Sequence, residues 1–335
     1  MKNTETLTAA PIVAEADGKE TANARQFYRD VITGLTSTPK YLNSKYFYDA
    51  AGDKIFQELM ACDEYYPTNC ELEIFSEKTV EICRVMIGNS DPFDLIELGA
   101  GDATKSSYLL QNLLDNKAAF TYLPIDISDN VISYLNITLP VTLPGLRFTG
   151  LNGDYFDMLT KAASLSDNRK VVMFLGSNIG NMATVEAERF CAELRKHLSP
   201  GDMLLIGFDL KKNPATVLAA YNDKKGITRR FNLNLLERIN RELNADFDIR
   251  KFEHYPTYDP ETGACKSYLV STCEQQVKIG MEMIAFAKDE YIFMEISQKF
   301  TVAETEKMAV NAGFMPVEQF FDSKTWFLDA VWLAG

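Results

Sequence analysis

The chain is 335 residues long, with 46% hydrophobic and 24% charged residues, the balance of a globular protein large enough for a sizeable core. A formal charge of -13 and a pI near 4.8 repel a phosphate backbone, and no cluster of Lys and Arg offsets that, which argues against nucleic acid as a partner. No apolar stretch approaches a membrane span and no basic-then-apolar order opens the chain, so a cytoplasmic monomer acting on small molecules, with no membrane partner, is the expectation.

Residues 1–22 are rich in Thr, Ala and Glu without a periodic apolar face, and a mobile tail is expected there. A helix follows across Ala24 to Leu35. Next come Tyr46-Phe47-Tyr48-Asp49-Ala50-Ala51-Gly52-Asp53, an aromatic cluster that breaks at a glycine, and Glu64-Tyr65-Tyr66-Pro67-Thr68, where the proline restricts the residue before it. Adjacent tyrosines usually pack, although a rigid ring ending in a hydroxyl also suits a pocket for a small polar molecule. From these residues alone, packing is the leading reading.

From Glu71 the pattern turns helical, and then Phe93-Asp94-Leu95-Ile96-Glu97-Leu98-Gly99-Ala100-Gly101-Asp102-Ala103-Thr104-Lys105 runs from an apolar strand into a two-glycine turn. Leu109, Leu110, Leu113 and Leu114 recur at helical spacing beyond it. The unit reads as a cofactor cradle. Gly99 and Gly101 can take backbone angles closed to other residues, and Glu97 at the strand's end can accept hydrogen bonds from a ligand. Thr104 stands where the third glycine of a dinucleotide fingerprint belongs, which disfavours a nicotinamide oxidoreductase, and no phosphate loop ends at Lys105 and Ser106. An acid before a Gly-x-Gly turn suits a ligand with a ribose and an amino-acid tail, such as S-adenosylmethionine.

Strands are predicted over Asp94 to Leu98, Phe120 to Ile125, Leu146 to Leu151, Val171 to Leu175 and Met203 to Phe208, with helices between most of them, giving an α/β, doubly wound, Rossmann-like sheet. Ligands of such sheets lie at the strands' carboxyl ends. Asp126, Gly153-Asp154-Tyr155, Gly176-Ser177-Asn178-Ile179-Gly180-Asn181 and Asp209 stand there. Asp126 follows the glycine turn at about the interval from which a carboxylate reaches ribose hydroxyls, and Asp154 and Tyr155 can flank an adenine. Residues from about Leu210 to Phe293 interrupt the alternation with a helical and then a strand-like segment, an insertion. Thr301 and Glu304 then cap a helix that Gly313 stops, and Phe314 to Phe321 and Trp326 to Leu333 read as a closing antiparallel pair.

Six cysteines, Cys62, Cys70, Cys83, Cys191, Cys265 and Cys273, form no C-x-x-C pair, and His197 and His254 lie beside no nucleophile motif. Free thiols mostly in the core are expected, with no metal site and no triad hydrolase.

With those residues set out, the chain resembles the histidine-specific, S-adenosylmethionine-dependent methyltransferases of the ergothioneine pathway. The resemblance runs through Tyr46-Phe47-Tyr48-Asp49, Glu64-Tyr65-Tyr66-Pro67-Thr68, the Glu97 to Gly101 turn, Phe174 to Asn181, Ala220-Tyr221 and Glu295-Ile296-Ser297-Gln298-Lys299-Phe300. It implies a class I methyltransferase core of residues 70–210 plus 298–335, and a second, α+β substrate-binding domain of residues 23–69 plus 211–297. It also implies a cofactor site at Gly99, Lys105, Asp126, Asp154 and Tyr155, beside the Glu97 and Gly101 already read from the turn. The substrate site falls on Tyr48, Tyr65, Gly176, Asn181, Tyr221, Glu295 and Ser297, which overturns the packing reading of Tyr48 and Tyr65.

The implied reaction is Nα-methylation of L-histidine, in successive transfers to hercynine, an in-line displacement for which the protein presents a neutral amine. Asn181 would fix the amino group and, with Tyr48, carry the catalytic roles. Tyr48 and Tyr221, with Asn181, would hold the α-carboxylate, while Tyr65, Glu295 and Ser297 would bind the imidazole. Asn178 stands where the family commonly has threonine, and Ser267 where a methionine can border the pocket; a smaller Ser267 would widen it. The alternatives are an Nα-methyltransferase for another aromatic amino acid such as tryptophan, and a non-catalytic protein that binds S-adenosylmethionine. Glu295 argues against an indole, which offers a carboxylate only one N–H.

Overall fold

A computed structural model describes residues 18–88 and 91–335. The tail expected over residues 1–22 lies outside the described residues as far as residue 17, and from Gly18 the chain is helical.

Helix α1, Gly18–Thr36, buries Phe27, Val31 and Leu35 at helical spacing and leads to a two-residue strand β1, Lys40–Tyr41. Asp49 opens α2, Ala50–Met60, by accepting from the Gly52 N–H at 2.7 Å. Helix α3, Tyr66–Glu77, carries Pro67 in its first turn, where the missing N–H costs nothing, and α4, Thr79–Ile87, follows.

The alternating region then runs β2, Phe93–Leu98; α5, Ser106–Asp115; β3, Phe120–Asp126; α6, Asp129–Thr142; β4, Leu151–Asn152; α7, Tyr155–Ala163; β5, Arg169–Phe174; α8, Thr184–Lys196; and β6, Met203–Asp209. After β6 come α9, Pro214–Ala220, α10, Ile227–Leu243, and five strands: β7, Phe252–Tyr258; β8, Ala264–Ser271; β9, Gln275–Ile279; β10, Glu282–Phe286; and β11, Tyr291–Gln298. Helix α11, Val302–Asn311, starts in the expected capping box of Thr301 and Glu304, and β12, Phe314–Phe321, and β13, Phe327–Ala334, close the chain.

The main sheet has seven strands in the order β12-β13-β6-β5-β2-β3-β4. Strand β2 pairs in parallel with β3 on one side and β5 on the other, so the chain winds outward to β4, returns, and winds the opposite way. The loops after β2 and β5 therefore part at the sheet's switch point, and the crevice that opens there is lined by Gly99 to Gly101 and Gly176 to Asn181. Adjacent residues of β2 feed opposite faces: Leu95 packs under α5 with Leu109 and Leu113, and Ile96 packs with Leu204 and Leu159 on the other side.

The third predicted strand is mostly absent. Between residues 146 and 151 the chain makes one bridge, Phe148 to Tyr122, and β4 covers only Leu151–Asn152. Its position at the sheet edge gives it one partner. Gly150, whose Cβ position is 2.8 Å from Ile132 of α6, interrupts the run.

A second sheet has the order β1-β11-β8-β7, with β9 and β10 as a separate hairpin. Its core joins Phe27 and Phe47 from the N-terminal segment to Phe231, Leu236, Leu269 and Ile292 from the insertion. The insertion leaves and re-enters the main fold at one place, where Lys211 N–H donates to Phe300 O at 2.8 Å and Phe300 N–H to Asp209 O at 3.1 Å.

Candidate active site

The glycine turn takes the conformation its residues allow, with φ of +75° at Gly99 and +53° at Gly101. Nothing lies within 4 Å of a Cβ placed on Gly101, but one on Gly99 would stand 2.9 Å from the Tyr155 hydroxyl and 3.4 Å from the Asn178 amide. Absence of that Cβ keeps a cradle open between the turn and Tyr155. Asp126, half-buried at the end of β3, accepts from Gly101 N–H at 3.2 Å and from Ser128 N–H at 2.9 Å, leaving lone pairs on both oxygens for hydroxyl donors. Burial raises its carboxyl above the usual range against the pull of those bonds. Asp154 caps α7 through Phe156 N–H at 3.0 Å and stays exposed, while Tyr155 packs edge-on against Phe174 and Phe190. These groups fit a nucleoside with an amino-acid tail: an acid for the ribose, a ring and a second acid beside it, and a glycine turn that admits the tail.

Two expected cofactor residues are placed differently. Glu97 is buried, and its carboxylate accepts from Ser106 at 2.6 Å and from Tyr122 at 2.5 Å, so it braces strand to helix and is closed to a ligand. Burial lifts its pKa to about 7 despite those bonds. Lys105 gives its ammonium to the buried Glu71, whose other oxygen accepts the Gly176 N–H at 2.6 Å. Lys105 thus ties the glycine turn to the loop after β5.

That loop forms one wall of a pocket lined by Tyr48, Tyr65, Gly176, Asn181, Tyr221, Glu295 and Ser297, all seven residues assigned to the substrate from sequence. They come from the N-terminal segment, the β5 loop, the end of α9 and β11. Phe56, Leu59, Asn178, Thr228 and Phe231 complete the lining. Sequence reading passed over Phe56, Leu59 and Phe231 because apolar residues at helical spacing read as core. The two phenylalanines and the pocket tyrosines form a cage of rings, with Tyr48 to Phe56 at 5.5 Å, Tyr48 to Phe231 at 5.7 Å and Tyr65 to Tyr221 at 6.1 Å. Asn178, singled out only as a departure, spans the two subsites, its side chain lying near the Cβ positions of both Gly99 and Gly176.

Local geometry explains how β11 presents two polar groups. Ile292 pairs with Leu269 and Phe293 with Tyr268, but Glu295 pairs with Ser267 and Ser297 with Cys265, so Met294 is an extra residue in the ladder. This bulge shifts the alternation by one and turns Glu295 and Ser297 to the face that Ile292 occupies. The two side chains then stand about 7 Å apart along one face, with room for a small ring between. Glu295 accepts from Asn232 at 3.2 Å, and burial raises its pKa against the opposing influence of Asn232, Ser267 and Lys299. Ser267 is buried beside Glu295 on the neighbouring strand and is not itself among the residues that line the pocket.

Tyr221 donates its hydroxyl proton to Ser297 Oγ at 2.7 Å. The Tyr221 proton expected to meet an α-carboxylate is thus committed to Ser297. Asn181 is exposed at the pocket mouth, on a short 3-10 turn held against β11 because a Cβ on Gly180 would come within 2.8 Å of Gln298 O. Among the described residues lining the pocket none is lysine or arginine. No group of residues able to hold a metal ion occurs among the described residues, and no described helix is long and apolar enough to cross a membrane. All six cysteines are free and five are buried.

A sheet wound in this order, with a glycine cradle and a ribose-reaching acid at its switch point and a polar pocket beside them, defines a class I S-adenosylmethionine-dependent methyltransferase acting on a small molecule. The model of one such family, described as histidine-specific and S-adenosylmethionine-dependent, matches residues 27–334. The chain belongs to that histidine-specific methyltransferase family. Histidine N-alpha-methyltransferase of Mycolicibacterium smegmatis is 33% identical over 301 residues, covering 89% of this chain and 92% of the relative. Ergothioneine biosynthesis protein 1 of Neurospora crassa is 30% identical over 288 residues, 84% of this chain but 32% of that longer protein. L-tryptophan methyltransferase trpM of Psilocybe serbica is 26% identical over 323 residues, covering 89% of this chain and 90% of the relative.

Proposed function

We propose that this protein methylates the α-amine of L-histidine in three successive transfers, giving hercynine in ergothioneine biosynthesis. The observation that carries the reading is the pair Glu295 and Ser297, aligned on one face of β11 by the bulge at Met294, at the end of a pocket otherwise walled by aromatic rings. A buried carboxylate and hydroxyl at ring spacing suit an imidazole, whereas an indole would leave polar groups without partners.

S-adenosylmethionine supplies an electrophilic methyl group on its sulfonium. Gly99, Gly101, Asp126, Asp154 and Tyr155 form the set that would hold it. The chain's task is then to deliver a neutral amine in line and keep it there. Asn181 accepts from the amino group through its side-chain carbonyl and, with Tyr48, donates to the α-carboxylate. Tyr65, Glu295 and Ser297 hold the ring, and Tyr221 walls the pocket beside Ser297. The hydroxyl of Tyr48 lies within the influence of both Glu295 and Tyr155, so it stands where the two subsites meet.

The reading divides the chain into a substrate-binding domain of residues 23–69 plus 211–297 and a cofactor domain of residues 70–210 plus 298–335, supported by the separate sheets and cores. It takes the protein as a cytoplasmic monomer without a nucleic-acid partner, the last supported by the charge of -13. Incubation with S-adenosylmethionine and each amino acid in turn, with products identified by mass spectrometry, tests it. Trimethylated histidine supports the proposal, and turnover of tryptophan without turnover of histidine refutes it.

A further inference from the structure

Lys299 has no solvent exposure, lies outside the lining of the substrate pocket and belongs to none of the roles above, yet its ammonium reaches two of the pocket's hydroxyls. It donates to Tyr221 Oη at 2.7 Å and to Ser297 Oγ at 2.8 Å, and forms an ion pair with Asp209 Oδ2 at 2.7 Å. Its ammonium also lies 4.6 Å from the centre of the Tyr221 ring. Asp209, at the insertion's point of exit, is completed by Tyr66 at 2.9 Å and by Lys212. One carboxylate faces two ammonium groups, so the cluster places a net positive charge behind a pocket wall that contains no cation.

The hydrogen bonds have a directional consequence. Ser297 Oγ accepts from Lys299 and from Tyr221, which fills both of its lone pairs. Its own proton is then the single donor that the Tyr221 and Ser297 pair can send into the pocket. Glu295, two residues earlier on the same face, can only accept when ionised. Together the two groups ask for a ring that carries one N–H and one bare nitrogen.

We propose that Lys299 is a positioning residue that fixes Ser297 as a donor, so that the site selects a neutral ring offering an acceptor to Ser297 as well as a donor to Glu295. This rests on the reading that Glu295 and Ser297 hold the substrate's ring.

The test compares histidine with its two pyrrole analogues, 3-(pyrrol-2-yl)alanine and 3-(pyrrol-3-yl)alanine, each of which keeps one N–H and lacks the acceptor. The wild-type enzyme is expected to prefer histidine by about tenfold or more in kcat/KM, the loss of one hydrogen bond to a buried group. Lys299→Met should raise KM for histidine by a similar factor with a smaller change in kcat. Its turnover of the analogues should stay near wild type, so that the preference collapses. Unchanged affinity for S-adenosylmethionine shows that the variant is folded. Should it fail that check, the Lys299→Met/Asp209→Asn pair, which removes both charges, replaces it. Equal wild-type turnover of histidine and an analogue overturns the proposal whatever the variants do, and so does a folded variant that retains the preference. Failure of the histidine reading looks different: the wild-type enzyme then turns over neither histidine nor the analogues.

Discussion

Glu295 stands directly across from Ser267 in the β8 and β11 pair because Met294 is bulged out of the ladder between Phe293 and Glu295. Were Met294 paired regularly in the ladder instead, Glu295 and Ser297 would point away from the pocket and their neighbours Ile296 and Gln298 into it. The carboxylate is thus placed by a backbone irregularity and secured by Asn232.

Replacing that carboxylate by a neutral isostere should therefore be read in substrate binding. Glu295→Gln is expected to raise KM for histidine by about tenfold, the difference between a charge-assisted and a neutral hydrogen bond, with affinity for S-adenosylmethionine unchanged. Steady-state kinetics and a calorimetric cofactor titration check both halves.

Asn181 carries a different expectation, because in the proposed reaction its carbonyl would aim the attacking nitrogen. Asn181→Ala should lower kcat by about 100-fold, the order of loss that misalignment of reacting atoms produces. Single-turnover measurement at saturating substrate separates this from weaker binding, and a change confined to KM would contradict the assignment.

The glycines of the turn should differ from each other. Alanine at either position costs about 1 kcal/mol of backbone strain, since both have positive φ. At Gly99 the new methyl group also displaces Tyr155, whose hydroxyl is 2.9 Å from its position, whereas at Gly101 it meets nothing within 4 Å. Gly99→Ala is therefore expected to weaken S-adenosylmethionine binding more than Gly101→Ala at equal loss of stability, as measured by calorimetry and urea unfolding.

Much of this was legible in the sequence, and the exceptions have physical causes. Alternating apolar runs placed four of the five parallel strands, and the acid and glycines at their ends marked the crevice. The motifs around Tyr48, Tyr65, Asn181, Tyr221 and Glu295 carried the pocket through resemblance, because no spacing rule brings residues so far apart in the chain to one point. The bulge at Met294 has no local sequence mark. Glu97 looked available because an acid at a strand end is where a ligand would need one, but Ser106 and Tyr122 reach it first. Lys105 entered the cofactor set through resemblance alone, and only the fold reveals Glu71 beside it.

Glu97 gives a prediction of pH dependence. Its folded pKa of about 7 lies above the ordinary carboxyl value of 4.5, so the folded state binds this proton more tightly than the unfolded state. The stabilising contribution is complete below about pH 4.5 and is lost as pH rises through about 7. The difference corresponds to about 3 kcal/mol across that window. Glu97→Gln should remove this component, so that urea unfolding at pH 5 and pH 8 differs less for the variant than for the wild-type protein by an amount of that order.

Whether this pocket reads an imidazole and methylates the amine beside it is decided by a single competition reaction. The enzyme is given S-adenosylmethionine with histidine and tryptophan at equal concentration, and the products are resolved by mass spectrometry. Nα-trimethylhistidine is expected to accumulate first, with tryptophan left unmodified until histidine is consumed. Methylated tryptophan as the main product would contradict the imidazole reading.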